Sequence, residues 1–85
     1  MNLEDVFCSV TRMKILKLLF KYGQLNTSDV AQKLKINYKL AIGHLELLET
    51  ENIVQHRVSG RVKFFRFANT LEARATMRLL EAWEV

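Results

Sequence analysis

Proline is absent from this chain, and glycine stands only at positions 23, 43 and 60. Reversals of direction favour residues that tolerate special backbone angles, so so few breakers leave room for only a handful of turns. The segments between them must be long and regular, and a helix-rich fold follows. The 85 residues fit one domain, 1–85, with a modest core and a thin stability margin that association with a second copy would relieve. An apolar share of 49% is ordinary for a globular chain and too high for a disordered one. No apolar run approaches the roughly 20 residues of a membrane span. The start, Met1-Asn2-Leu3-Glu4-Asp5, is too acidic for a secretory signal.

Periodicity divides the chain into segments. Leu3, Val6, Phe7 and Val10 have helical spacing and predict a short first helix. Ser9 is placed to cap a second helix running to about Tyr22, with Met13, Leu16, Leu19 and Phe20 inward and Lys14, Lys17 and Lys21 outward. Gly23 suits its end. Asn26, with Asp29 three residues on, starts a third helix that turns Val30, Ala31 and Leu34 inward and stops near Lys35-Ile36. Asn37 caps a fourth helix to about Glu51, with Ala41, Leu45 and Leu48 inward. The period then changes. Ile53–Val58 and Val62–Phe67 are β-branched and aromatic, and Ser59-Gly60 between them marks a hairpin. Asn69, with Glu72 three residues on, predicts a last helix to about Trp83.

Charge is unevenly spread along these elements. From Arg12 to Arg66 eleven Lys/Arg face four acids, a net of +7, while the two ends together carry −3. A basic middle with acidic flanks is the footprint of a phosphate-binding face. Two short helices joined by a tight turn form a helix-turn-helix, whose second helix enters the major groove of DNA. Ala31 and Ala41 are small where those helices must cross. The basic hairpin after them reads as a wing, so the expected fold class is mainly α with a small β-hairpin, a winged helix-turn-helix.

Particular stretches strengthen that reading. Ser9-Val10-Thr11-Arg12-Met13-Lys14-Ile15-Leu16-Lys17-Leu18-Leu19 resembles the opening helix of arsenic-repressor-type (ArsR) winged-helix regulators. Leu25–Leu34 is similar to their first motif helix, His44–Val54 to the end of their recognition helix, and Gly60–Phe67 to their wing. The resemblance covers roughly residues 6–67 and implies a DNA-binding regulator. Three departures accompany it. Lys35 stands where the family often has glycine. Tyr38-Lys39-Leu40-Ala41-Ile42-Gly43 replaces a stretch that is usually more polar. The Cys-rich metal signature of the founding members is absent.

The expected DNA-binding residues are Tyr38, Lys39, Ile42 and Gly43 on the recognition helix and Arg57, Arg61, Lys63 and Arg66 on the wing. Tyr38 and Lys39 supply hydrogen bonds, Ile42 a thymine-methyl contact, Gly43 room for close approach, and the wing cations grip phosphates. A homodimer is expected through the C-terminal helix, 70–83, which carries two apolar stripes. Leu71, Ala75, Leu79 and Ala82 form one; Met77, Leu80 and Trp83 form the other. Leu3, Phe7, Met77, Leu80 and Trp83 are the expected interface. Cys8, His44 and His56 are too few for a metal site within one subunit, and no cofactor or small-molecule ligand is implied. Phe65, Phe67, Trp83 and Tyr22 are core or interface before they are a ligand cage. Glu46 and Glu49 share a helix face with nothing nearby for acid–base work, so no catalytic residue is expected. Lone Cys8 suits a reducing compartment, so the expected location is the cytoplasm, in association with the nucleoid. Two other readings compete with the sequence-specific regulator: a sequence-indifferent chromosome-coating protein and a winged-helix protein–protein adaptor.

Overall fold

The computed structural model describes residues 9–84. The elements run in the order α1 (Val10–Tyr22), β1 (Gln24–Asn26), α2 (Thr27–Leu34), α3 (Tyr38–Thr50), β2 (Val54–Ser59), β3 (Val62–Phe67) and α4 (Leu71–Glu84). The expected first helix, with Leu3 and Phe7, lies outside the described residues, and Val10 opens α1.

Local chemistry fixes the helix ends. The Ser9 side chain accepts from the Arg12 amide at 3.2 Å, and Gly23 closes α1 at φ 84°, its N–H donating to Leu19 O at 2.8 Å. At α2, Asn26 Oδ1 accepts from the Asp29 amide at 2.7 Å while Asp29 Oδ2 accepts from the Asn26 amide at 3.4 Å, a reciprocal capping box. Lys35 ends α2 in the left-handed region, φ 57° and ψ 43°, and the Ile36 N–H reaches back to Ala31 O at 3.0 Å. Asn37 Oδ1 then accepts from the Leu40 amide at 2.8 Å and starts α3. The cap of α4 falls one residue later than expected. Thr70 Oγ1 accepts from the Ala73 amide at 3.0 Å and also donates to Asn52 O at 2.6 Å, whereas Asn69 Oδ1 accepts from Arg74 at 2.9 Å.

The sheet has three strands, not two. All are antiparallel, in the order β1-β3-β2. Gln24 to Asn26 pair with Arg66 to Phe64, and Val54 to Ser59 pair with Phe67 to Val62. The hairpin turns through Gly60-Arg61, with φ 64° at Gly60 and no positive φ at Arg61, the pattern of a type II′ turn. Ile15, Leu16 and Leu19 of α1, Val30 of α2, Ala41, Leu45 and Leu48 of α3, and Phe65 of β3 are wholly buried together. Each large apolar side chain so buried contributes about 1.5–3 kcal/mol relative to leaving it in water.

On α4 the assignment of the two stripes is corrected. Leu80 is 2% exposed and belongs to the protomer's own core, with Ala73 and Thr76 buried on the same side and Met77 half-buried. Trp83, 77% exposed, parts from Leu80 and joins Leu71, Ala75 and Leu79 on the outward side. Two apolar stripes on one helix compete for the core, and the one bearing the small residue Ala73 beside Leu80 is the one the fold takes inward.

Candidate nucleic-acid interface

Helix α3 is set by its inner face. Ala41, Leu45 and Leu48 recur at spacings of four and three, all buried in the same core as Val30 and Ala31 of α2. This anchoring leaves Tyr38, Lys39, Leu40 and Gly43 exposed at the start of the helix. Ile42 is half-buried and packs against the core, so it is not presented outward as the sequence reading had it. Leu40, 53% exposed, is the apolar side chain that the helix does present. Counting about 100° per residue from buried Ala41 sets Leu40 and Ile42 equally far from the inner face on opposite sides, so the sequence alone does not choose between them. Gly43 has ordinary helical backbone, and a Cβ built there would meet nothing within 4 Å.

The wing cations divide between two faces. Residues directly opposite in an antiparallel pair share a face, and faces alternate along each strand. Leu25, His56 and buried Phe65 therefore point inward, while Gln24, Gln55 and Arg66 point outward together, as do Arg57 and Phe64. On that outer face the Arg57 guanidinium lies 5.2 Å from the centre of the Phe64 ring. With the Gln55 amide oriented so that its oxygen faces Arg66, that oxygen accepts from Nε and Nη2 at 3.0 and 2.9 Å. Arg61 sits in the turn, and Lys63 shares a face with Val58. Of the four wing cations, Arg61 and Lys63 meet the start of α3. They line a shallow cleft with Tyr38, Val62 and Asn26, Thr27 and Ser28 at the head of α2. Arg57 and Arg66 do not line it.

Both histidines brace α3. His56 of β2 donates its backbone N–H to Glu49 Oε2 at 3.1 Å, and its Nδ1 lies 2.7 Å from the same oxygen, which ties the sheet to the end of α3. The His56 ring also packs on Phe65, with 5.5 Å between centroids. His44 Nδ1 accepts from Arg12 Nε at 3.3 Å, linking α3 to α1. Because the guanidinium can only donate, the His44 ring is neutral with its proton on Nε2. Burial first, and then the Arg12 charge, hold the His44 pKa below its ordinary value of 6.5. No three His, Cys, Asp or Glu side chains gather to hold a metal ion among the described residues. No described helix is long and apolar enough to cross a membrane.

Residues 9–56 match the family described as bacterial regulatory protein, arsR family. Among solved structures, HlyU from Vibrio cholerae superposes with a TM-score of 0.81 at 18% identity, over 98% of this chain and 89% of that one. The antimony-specific transcriptional repressor AntR gives 0.80 at 22% identity, over 92% and 67% of the two chains. The homodimeric winged helix-turn-helix DNA-binding domain of Mb0332 from Mycobacterium bovis gives 0.80 at 22%, over 94% and 73%. At such identities these likenesses speak for the winged helix-turn-helix fold. No curated protein matches the chain significantly.

Proposed function

The chain belongs to the arsR family of bacterial regulatory proteins, and on that premise we propose that it regulates transcription as a homodimer that recognises a particular duplex DNA sequence. The family is one of DNA-binding regulators and not of enzymes. The observation that carries the proposal is the meeting of Tyr38 with Arg61 and Lys63 around one cleft that no acid lines. The start of α3 enters the major groove, and the wing turn follows the neighbouring backbone. Lys39 and Tyr38 make the polar base contacts, and Leu40 takes over the thymine-methyl contact expected of Ile42. With so few hydrogen-bonding groups on that surface, part of the selectivity comes from DNA shape.

The outward stripe Leu71, Ala75, Leu79 and Trp83 on α4 supports the homodimer, since one protomer leaves it in water. The Mycobacterium bovis neighbour is itself described as homodimeric. A two-fold pair sets two recognition helices about 34 Å apart, one turn of DNA. The test is duplex binding measured across a salt series. A dimer neutralising several phosphates loses on the order of a thousandfold in affinity between low and moderate salt. Absent or salt-indifferent binding would refute the proposal.

A further inference from the structure

Along β3, Val62, Phe64 and Arg66 alternate with the inward residues and share the outer face of the sheet, where Arg57 joins them from β2. Arg57, Arg66 and Val62 are exposed there, and Phe64 is half-buried. The two guanidiniums are held by groups that carry no charge. Gln55, with its amide oxygen towards Arg66, accepts from Nε and Nη2. Gln24 accepts from Arg57 Nε at 3.5 Å, and the same guanidinium lies over the Phe64 ring. Among the described residues neither arginine has a carboxylate partner. An amide brace fixes the direction of a guanidinium and so reduces the freedom it loses on binding, yet it leaves the positive charge uncompensated. Each guanidinium also keeps further N–H donors of its five free for an outside acceptor.

Register sets the spacing of these groups. Arg66 and Arg57 occupy successive rows of the outer face, and Val62 stands in the row after, next to Phe64 on its own strand. Rows repeat every ~7 Å, which is also the repeat of alternate side chains on an extended chain. Carboxylates at alternate positions of such a chain therefore meet one guanidinium each, and an apolar side chain two residues further meets Val62. Arginine beside an aromatic ring is the composition of a protein-binding surface. The duplex is served elsewhere, because Lys63 leaves β3 towards the opposite face and meets Tyr38 and Arg61 at the cleft beside α3. A three-stranded face is also too broad for a major groove that admits one helix or a two-stranded ribbon.

We propose that the outer face of the sheet docks an extended acidic segment of another protein. Two carboxylates, two residues apart, pair with Arg66 and Arg57, and the next residue in the alternation packs its apolar side chain on Val62. The site goes beyond the DNA-binding reading. The two faces of the sheet point apart, so α3 can hold DNA while the outer face holds a protein partner.

The probe is a labelled peptide with two glutamates at alternate positions and a leucine two residues on, with serines between; the same peptide with glutamines for the glutamates is the control. Fluorescence anisotropy at low salt compares the wild type, Arg57→Gln, Arg66→Gln and Lys14→Gln, the last an equal loss of charge at an exposed position of α1. The acidic peptide is expected to bind, and to bind about fivefold more weakly to each arginine variant but not to Lys14→Gln. The glutamine peptide is expected not to bind. All three substitutions are at exposed positions and are expected to leave thermal unfolding unchanged. A mixed-sequence duplex is titrated in parallel, including Arg61→Ala. An acidic peptide that does not bind, losses of equal size in all three variants, or no loss in the arginine variants overturns the docking site. An Arg66→Gln protein that loses as much duplex affinity as Arg61→Ala assigns the face to DNA and overturns it as well. A wild type that binds the peptide as expected but no duplex upholds the docking site and overturns the regulator reading alone.

Discussion

Helices α3 and α4, at 13 and 14 residues, are nearly equal in length, and both show large apolar side chains to solvent. Their surroundings differ. On α3, Leu40 and Tyr38 flank Lys39, and Tyr38 shares a cleft with Arg61 and Lys63. On α4, Leu71, Leu79 and Trp83 run beside Glu72 and Glu81, and Arg74 is drawn towards Asn69. An apolar group among cations suits a groove walled by phosphates and floored in part by thymine methyls. An apolar stripe without excess positive charge suits a second protein surface. Exposure alone therefore does not name the partner; the charge around it does.

The division within α4 gives the largest expected effect. Leu80→Glu places a carboxylate in the protomer core and is expected to cost at least about 3 kcal/mol of folding stability. Trp83→Glu is expected to keep the fold and shift the solution mass at micromolar concentration from dimer towards monomer. Denaturant titration and light scattering separate the two. A Leu80→Glu chain of wild-type stability would break the assignment of inner and outer stripes.

The next effect lies on the other side of the comparison. Lys39→Ala is expected to reduce discrimination between target and random duplex by about 1–3 kcal/mol, while Arg61→Ala weakens both about equally. Arg57→Ala and Arg66→Ala, on the outer sheet face, are expected to weaken binding less than Arg61→Ala. Competition binding decides, and a larger loss at Arg66 than at Arg61 would place the DNA on the wrong face of the wing.

Backbone changes near α3 come next in size. Lys35 holds a left-handed conformation at φ 57°, and Lys35→Gly is expected to raise stability by about 1 kcal/mol. Gly43→Ala meets open space and is expected to stabilise by a similar roughly 1 kcal/mol, yet to weaken DNA binding if α3 approaches the duplex closely there. Unfolding and binding measured on one preparation sharpen the contrast, because unchanged affinity would remove Gly43 from the contact surface.

The smallest effect is that of pH on His44. Its pKa is lower in the folded chain than the ordinary 6.5, so the unfolded chain takes up the proton first. The stability this group contributes is complete above pH 6.5 and declines as pH falls through the folded value. His44→Gln is expected to flatten that part of the stability profile, and an unchanged profile would assign the acid sensitivity to another group.

Most of the fold was legible because short-range chemistry wrote it. Ser9, Asn26 and Asn37 each cap through a bond three residues ahead, and Gly23 and Gly60 sit where positive φ is needed. Long-range choices were not legible. Strand β1 has three residues, too few to show alternation, and exists because Phe64–Arg66 offer it an edge. The α4 cap moved to Thr70 because its hydroxyl also reaches Asn52. Both α4 stripes were apolar, and periodicity cannot say which one the core accepts. On the recognition surface, residue types were legible, but the half-burial of Ile42 and the separation of Arg57 and Arg66 from Arg61 depend on strand register and helix rotation.

The strand order β1-β3-β2 also bears on the sequence of events by which the chain folds. β2 and β3 meet across the two-residue turn Gly60-Arg61, whereas Gln24 must find Arg66 across about forty residues. Closing the longer loop carries the larger entropy cost, so the hairpin can form early and β1 docks late. Asn26 ends β1 and also caps α2, so the cap itself can form locally, but the opening turn of the helix-turn-helix is seated on the sheet only when the wing arrives. In pulse-labelled hydrogen exchange the β2–β3 amides should gain protection before those of Gln24 to Asn26. During synthesis, the helix-turn-helix would stay unfinished until β3 had cleared the ribosome, and the last part of the wing to be made would seat the first turn of the motif.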